Sequence, residues 1–225
     1  MRRWLTLAAQ LLFVAGATLG GDVAVFENLG FSRSGGVFVF GQYGVSGETG
    51  RPFAEMYIVD VEANHFVADG VFRHASEALA SLGQDGRGAL HTVLGRARPQ
   101  LDRHRIDHLA TGRPIYVLVD GSETHSRLSF RDFHANSHYD VRLTQQRRDR
   151  NGAVSAAFHL DITISRPGET ARTMRVGRPS FYREGVMGYR ITQILVGPDE
   201  RSIVLVVERR SPDGTIRYMV ETARI

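Results

Sequence analysis

The chain has 225 residues, a formal charge of +4, 42% apolar residues, no cysteine and, among 28 basic side chains, no lysine. Without thiols there is no thiol nucleophile, thiolate metal site, iron–sulfur cluster or disulfide. Without lysine, Schiff-base chemistry and phosphate-loop lysines also fall away.

Taken in chain order, Arg2 and Arg3 precede an apolar stretch from Trp4 to Val14 that only Thr6 and Gln10 interrupt. Ala15-Gly16-Ala17 then offers small residues at both specificity positions of a signal-peptidase site. This predicts a signal peptide over 1–17 and an exported protein, periplasmic or secreted, with residues 18–225 forming one β-rich domain. The apolar stretch is shorter than the roughly 20 residues that span a bilayer. No later run is long enough either, so no membrane span is expected once the signal is removed. No cysteine follows the apolar stretch to carry a lipid anchor. Loss of Arg2 and Arg3 takes two from the formal charge of +4 and leaves a nearly balanced chain. With no disulfides, such a chain must be held together by its core.

From Asp22 to Phe72 the signals are those of β meanders. "VFVFG" (37–41) is a short β-branched and aromatic run framed by glycine. A Gly-rich loop "YGVSGETGRPF" (43–53) leads to a second strand, "AEMYIVDV" (54–61). "EAN" (62–64) turns into a weaker third, "HFVADGVF" (65–72). The pattern then changes. In "ASEALASL" (75–82), Ala75, Ala78, Leu79 and Leu82 share a helical face, and in 88–109 Leu90, Val93 and Leu94 share another. A helical insert at about 75–109 is expected to lie on the sheet, with Pro99 starting or kinking one of its turns.

Strands resume with "RPIYVLVDG" (113–121), apolar enough to be buried on both faces. "YDVRLTQQ" (139–146) places Tyr139, Val141 and Leu143 on one face, and "SAAFHLDITIS" (155–165) turns Ala156, Phe158, Leu160, Ile162 and Ile164 inward. Asn151-Gly152 between them favours a primed hairpin turn. "ITQILV" (191–196), "SIVLVVERR" (202–210) and "TIRYMVETA" (215–223) follow, separated by Gly197-Pro198-Asp199 and Pro212-Asp213-Gly214. The fold class expected is mainly β (α+β): antiparallel meanders in propeller-like or sandwich packing with one helical insert. The alternative is two small β subdomains around that insert.

Two segments share an order of events. "FSRSGGVFVFGQYG…AEMYIVDV" and "VGPDERSIVLVVERRSPDGTIRYMVET" each run turn, apolar strand, polar or Gly-rich loop, and a second strand containing Tyr or Met. Each resembles the WD40-like repeat of periplasmic β-propellers, although Ser32-Arg33-Ser34-Gly35 and Gly197-Pro198-Asp199-Glu200 both miss part of its turn motif. Two such units do not close a propeller, which takes at least about four blades. The whole order is more specific: an export signal, "NLGFSRSGGVFVFGQYG", "MYIVDV", a helical insert, "GRPIYVLVDG", "FRDF", "YDVRL", "VGRPSFYREGV", "GYRI" and a C-terminal β pair. It resembles a family of predicted secreted bacterial proteins known as domain of unknown function 2259. The resemblance implies an exported protein and brings no catalytic residues with it.

Each residue with reactive chemistry also has a plainer role open to it. His104–His108 and His134–His138 have the i, i+4 spacing of helical metal ligands. The first pair sits in a charged, solvated face, and the second in "FHANSHYD", where Asn136 and Ser137 favour a loop. No metal site and no cofactor is therefore assigned. There is no G-x-S-x-G elbow, but "DGSETH" (120–125) follows a strand and sets Ser122 near His125 in a loop. Aromatic residues and arginine mix in "FYREGVMGYR" (181–190), as they would to stack on bases or sugars, or in a half-buried strand. Nucleic acid is a poor partner for an exported, nearly neutral chain. Arg147, Arg148 and Arg150, near the tip of the expected hairpin, are the residues assigned to a contact surface. The function expected is a non-enzymatic envelope protein that binds or scaffolds an envelope protein, lipid or glycan. The alternative is an envelope hydrolase with a loop-borne site near Ser122 and His125.

Overall fold

The computed structural model describes residues 21–119 and 125–225; the expected signal peptide over 1–17 lies outside the described residues. Four strands come first: β1 (Val25–Ser32), β2 (Val37–Val45), β3 (Pro52–Asp60) and β4 (His65–Ala75). A helix, α1 (Arg87–Arg103), and a two-residue strand, β5 (Ile106–Asp107), follow. The chain continues through β6 (Arg113–Val117), β7 (Arg127–Asp132), β8 (Ser137–Arg150), β9 (Ala153–Ser165) and β10 (Arg172–Glu184). It ends with β11 (Gly188–Val196), β12 (Ser202–Arg210) and β13 (Ile216–Arg224). These strands form three sheets, ordered β4-β3-β2-β1-β5, β13-β12-β11-β6 and β10-β9-β8-β7. Every pairing within them is antiparallel.

The sheets stack face to face, and the β13-β12-β11-β6 sheet is the middle layer. On β12, Ile203, Leu205 and Val207 enter a core with Tyr139, Val141, Phe158 and Leu160 of the β10–β7 sheet. The alternate residues Val204 and Val206 enter a second core with Phe31, Phe38, Phe40 and Tyr57 of the first sheet. The period-two alternation of a strand thus serves two cores at once, which requires an apolar residue at every position. On its far side the first sheet packs Val39, Met56 and Ile58 against Ala89, Leu90, Val93 and Ala97 of α1. A helix caps that outer face, so the sheets form a linear sandwich and do not close into a ring. The propeller-like alternative is thereby set aside.

The helical insert is shorter than its periodicity suggests. Residues 76–86 contain no helix, and Leu79 and Leu82 are exposed, at 65% and 105% of their free areas. Ala75 is the last residue of β4 and pairs with Phe53, and the Ala80 amide donates to the Gly50 carbonyl. The apparent apolar face of 75–82 is small and meets no partner, so sheet pairing at one end and loop bonds along it prevail over weak helical propensity. Helix α1 runs through Pro99, and after it His104 and Arg105 turn the chain into β5. The glycines of "VFVFGQYG" are part of strand β2, which continues to Val45, and not the start of a loop. They let α1 approach: a Cβ on Gly86, at the helix N-terminus, would lie 2.3 Å from the Gly44 carbonyl oxygen. "RPIYVLVDG" is also corrected. β6 pairs only with β11 at a sheet edge; Ile115 and Tyr116 pack against the core shared with the β10–β7 sheet, while Val117 and Val119 are exposed.

The two similar turns in the sequence meet in space. Ser202 Oγ donates to the Gly35 carbonyl at 2.8 Å, and Asp199 accepts from the Arg201 and Ser202 amides and from Arg224. At the same end of the stack, Arg113 bonds both oxygens of buried Asp132 at 2.8 and 3.0 Å and also reaches Glu200 at 2.8 Å. Burial by itself would raise the Asp132 and Asp199 carboxyls. The Arg113 and Arg224 guanidinia and neighbouring amides outweigh it and hold both below the ordinary carboxylate range.

Both folded pKa values are depressed, so the stability these carboxylates contribute is present above the ordinary carboxylate pKa and is lost as pH falls through the depressed values. Urea midpoints should therefore fall steeply below about pH 4, and less steeply in Asp132→Asn. At neutral pH, Leu205→Ala should cost about 2–5 kcal/mol in the same assay, while Leu82→Ala leaves the midpoint unchanged.

Candidate functional site

Two of the concave places bring charged side chains together from distant strands. The first lies at the tip of the β8–β9 hairpin. Asn151 and Gly152 have φ values of 52° and 79°, the doubly left-handed geometry of a primed turn, and the strands pair from Arg150↔Ala153 down to His138↔Ser165. Because side chains alternate along β8, Arg147 projects to one side of the hairpin and Arg148 and Arg150 to the other. Arg147 lines a cavity of about 230 Å³ together with Gln145, Tyr189, Arg190 and Arg210. Arg148 and Arg150 line a hollow of about 600 Å³ with Ser155, Tyr182, Glu184 and Pro212. The assigned trio is therefore divided between two concave faces.

The structure adds to this end arginines that inspection of the sequence had not joined to it. Arg190 on β11 and Arg210 on β12 share one carboxylate, Glu208, at 2.6 and 2.5 Å. Glu208 is 1% exposed, and together with Arg190 it also lines a separate hollow of about 350 Å³ beside Phe26 and Tyr218. A single acid cannot neutralise both. Arg147 meets Asp149 only at 3.8 Å, and Arg148 lies over the Tyr182 ring with its guanidinium carbon 3.4 Å from the centroid. Among the described residues no carboxylate lies within ion-pair distance of Arg148 or Arg150. The signal available in the sequence was the Arg-rich ends of "GYR" and "VVERR", which strand pairing brings side by side at Arg190↔Glu208 and Gly188↔Arg210.

The second place is a cleft of about 470 Å³ where all three sheets meet. The β3–β4 turn supplies Asn64, the start of β4 supplies His65 and Phe66, β13 supplies Met219 and Glu221, and β10 supplies Arg178 and Arg183. Asn64 sits at φ 52° and donates to Glu221 at 2.6 Å while its side-chain oxygen accepts from the Thr222 amide at 2.8 Å. This clamps the first sheet to the middle one. Burial pushes the Glu221 carboxyl up, against opposing hydrogen bonds from Asn64 and Gly177 and the positive charge of Arg183 and Arg178. Arg183 lies 5.6, 5.0 and 6.0 Å from the ring centres of Phe158, Phe181 and Tyr189, and its Nη1 is buried without a hydrogen-bond partner. The aromatic–arginine mixture of 181–190 is thus partly an internal stack. Between Arg178 and Arg183 the β10 register jumps, and residues 179–182 leave the ladder.

The remaining candidates are scattered. His104 ends α1, and His108 bonds the Leu29 carbonyl through Nδ1 at 2.7 Å. His134 lies in the β7–β8 turn, and His138 on β8 meets Ser129 at 3.0 Å. Neither histidine pair lies within one helix, and no cluster of metal-ligating residues occurs among the described residues. Ser122 lies outside the described residues, and its expected partner His125 is exposed. No helix among the described residues is long and apolar enough to cross a membrane.

Glu221 binds its proton more tightly in the folded state, so ionising it opposes folding. Its cost grows as pH rises from the ordinary 4.5 towards the raised folded value. Glu221→Gln, which keeps an acceptor for Asn64, should melt higher than the parent at neutral pH. The difference should vanish below about pH 4 in thermal melts across pH.

Comparison with known proteins bears on the family and not on either site. No curated protein and no solved structure matches the chain. One family model does, over residues 39–224, from within β2 to the last residue of β13, and its description is a predicted secreted protein. That description agrees with the export expected from residues 1–17, and the matched span holds both the Arg-rich end and the cleft. The chain belongs to the DUF2259 family of predicted secreted proteins.

Proposed function

We propose that this exported protein is a non-enzymatic binding module that holds a phosphate-bearing component of the cell envelope against its Arg-rich end. One observation carries the reading. Arg147, Arg190 and Arg210 line one cavity, and the last two share a single buried carboxylate, Glu208. Guanidinium forks suit phosphate and carboxylate oxygens, and a site with its donors already held loses little side-chain freedom on binding. Glu208 is assigned a positioning role, orienting two of the donors without touching the ligand. Arg148 and Arg150 across the hairpin extend the basic surface and steer anionic surfaces towards it.

The test is co-sedimentation of the purified protein with phosphatidylglycerol vesicles and with neutral phosphatidylcholine vesicles, with inorganic phosphate as competitor. Binding should favour the anionic vesicles and weaken as salt rises from about 50 to about 200 mM, where screening shortens to roughly 7 Å. Arg147→Ala/Arg148→Ala/Arg150→Ala should weaken it at least tenfold, and the exposed helix variant Arg98→Ala should not. Equal binding to both vesicle types, or an unaffected triple variant, would overturn the proposal. Competition by millimolar phosphate would place the recognised chemistry in the phosphate itself and not in a lipid surface.

A further inference from the structure

The three-sheet cleft stands apart from the Arg-rich end and rests on different residues. Its walls carry both signs of charge. Glu221 is 6% exposed on one side, and Arg178 and Arg183 lie on the other. Among the described residues none of the three forms an ion pair within 4.0 Å, although they line one cavity. A purely structural cluster would satisfy a buried carboxylate most cheaply by direct guanidinium contacts, the arrangement Glu208 adopts elsewhere in this chain with one arginine on each oxygen. Here the carboxylate is held by Asn64 at 2.6 Å, and the Arg183 guanidinium is held by three aromatic rings. The charges are thus fixed separately, with space between them.

The rest of the lining completes a description of what fits that space. Phe66, 49% exposed, and Met219 offer an apolar wall beside the charged groups. A volume of about 470 Å³ lies within the range of small-ligand sites, roughly 300–1,000 Å³. Residues 179–182, which leave the β10 ladder, carry Phe181, whose ring centre lies 5.0 Å from the Arg183 guanidinium carbon. Gly177, at φ 88°, allows β10 to come against β9 here, since a Cβ would stand 3.0 Å from the His159 Cα.

We infer that this cleft is a binding site for a small zwitterion with an apolar side group, the simplest such ligand being an apolar α-amino acid. Its carboxylate meets the Arg178 and Arg183 side, its ammonium donates to Glu221, and its side group lies against Phe66 and Met219. A ligand with one charge would leave the opposite wall uncompensated, so the site discriminates by requiring both. An ammonium against Glu221 also favours the ionised carboxylate, which offsets the cost of its burial.

Calorimetric titration of the purified protein with L-leucine, L-leucinamide and 4-methylpentanoate tests the inference, because the last two each lack one of the charges. Leucine should bind saturably and raise the melting temperature, and each analogue should bind at least tenfold more weakly. Arg178→Gln, at an exposed residue, and Glu221→Gln, which keeps its acceptor, should each weaken leucine at least tenfold with the fold intact by circular dichroism. Arg98→Gln on the helix should leave it within twofold. Absence of saturable leucine binding, analogues within twofold of leucine, or unaffected binding in both cleft variants would each overturn the assignment.

Discussion

The structure depends on burying one strand on both faces. Ser202 to Glu208 of β12 are all buried, and five successive apolar residues, Ile203 to Val207, are divided between two cores. A strand of this kind needs a sheet on each side, because burial of each such side chain is worth about 1.5–3 kcal/mol and exposure of either face forfeits half of it. The outer sheets are then free to be amphipathic. The β10–β7 sheet turns Tyr139, Val141, Leu143, Phe158, Leu160 and Ile162 to the middle layer and keeps arginine, aspartate, histidine and threonine for its outer face. The first sheet is apolar on both faces and requires α1 as its outer cover.

That stacking order gives the molecule two unlike ends. At one, the β1–β2 and β11–β12 turns are tied by Ser202, Asp199 and Arg224, and Arg113 is neutralised by Asp132 and Glu200. Its arginines are structural. At the other, the β8–β9 hairpin overhangs the ends of β11 and β12, and guanidinia outnumber the carboxylates that could pair with them. An all-arginine composition would spread charge without regard to position. The contrast between an end whose arginines are matched by carboxylates and one where they are in excess is a feature of the fold and is the reason the basic surface carries the functional proposal.

Much of the β structure was legible because β-strand alternation is a local property. Asn151-Gly152 forms the primed turn, and the inward residues of β8 and β9 are those the period-two pattern selects. The helical face of Leu90, Val93 and Leu94 was legible by the same logic at period 3.6 and lies in α1. The error over 75–82 arose where a short apolar pattern fitted helix spacing but had no surface to bury against. The error over "RPIYVLVDG" arose because apolar content does not say whether a strand will be central or at an edge.

By itself the sequence determined the β-rich class, the export expectation, the family and the hairpin that bears Arg147, Arg148 and Arg150. These follow from local spacing, turn chemistry and composition, which neighbouring residues specify among themselves. Only the tertiary structure decided which distant residues share a cavity. Arg190, Arg210 and Glu208 join Arg147, and Asn64, Arg183 and Glu221 meet across more than 150 residues of chain. Such juxtapositions follow from the order in which the sheets stack, which is set by the summed burial of three cores and leaves no signature at any single position.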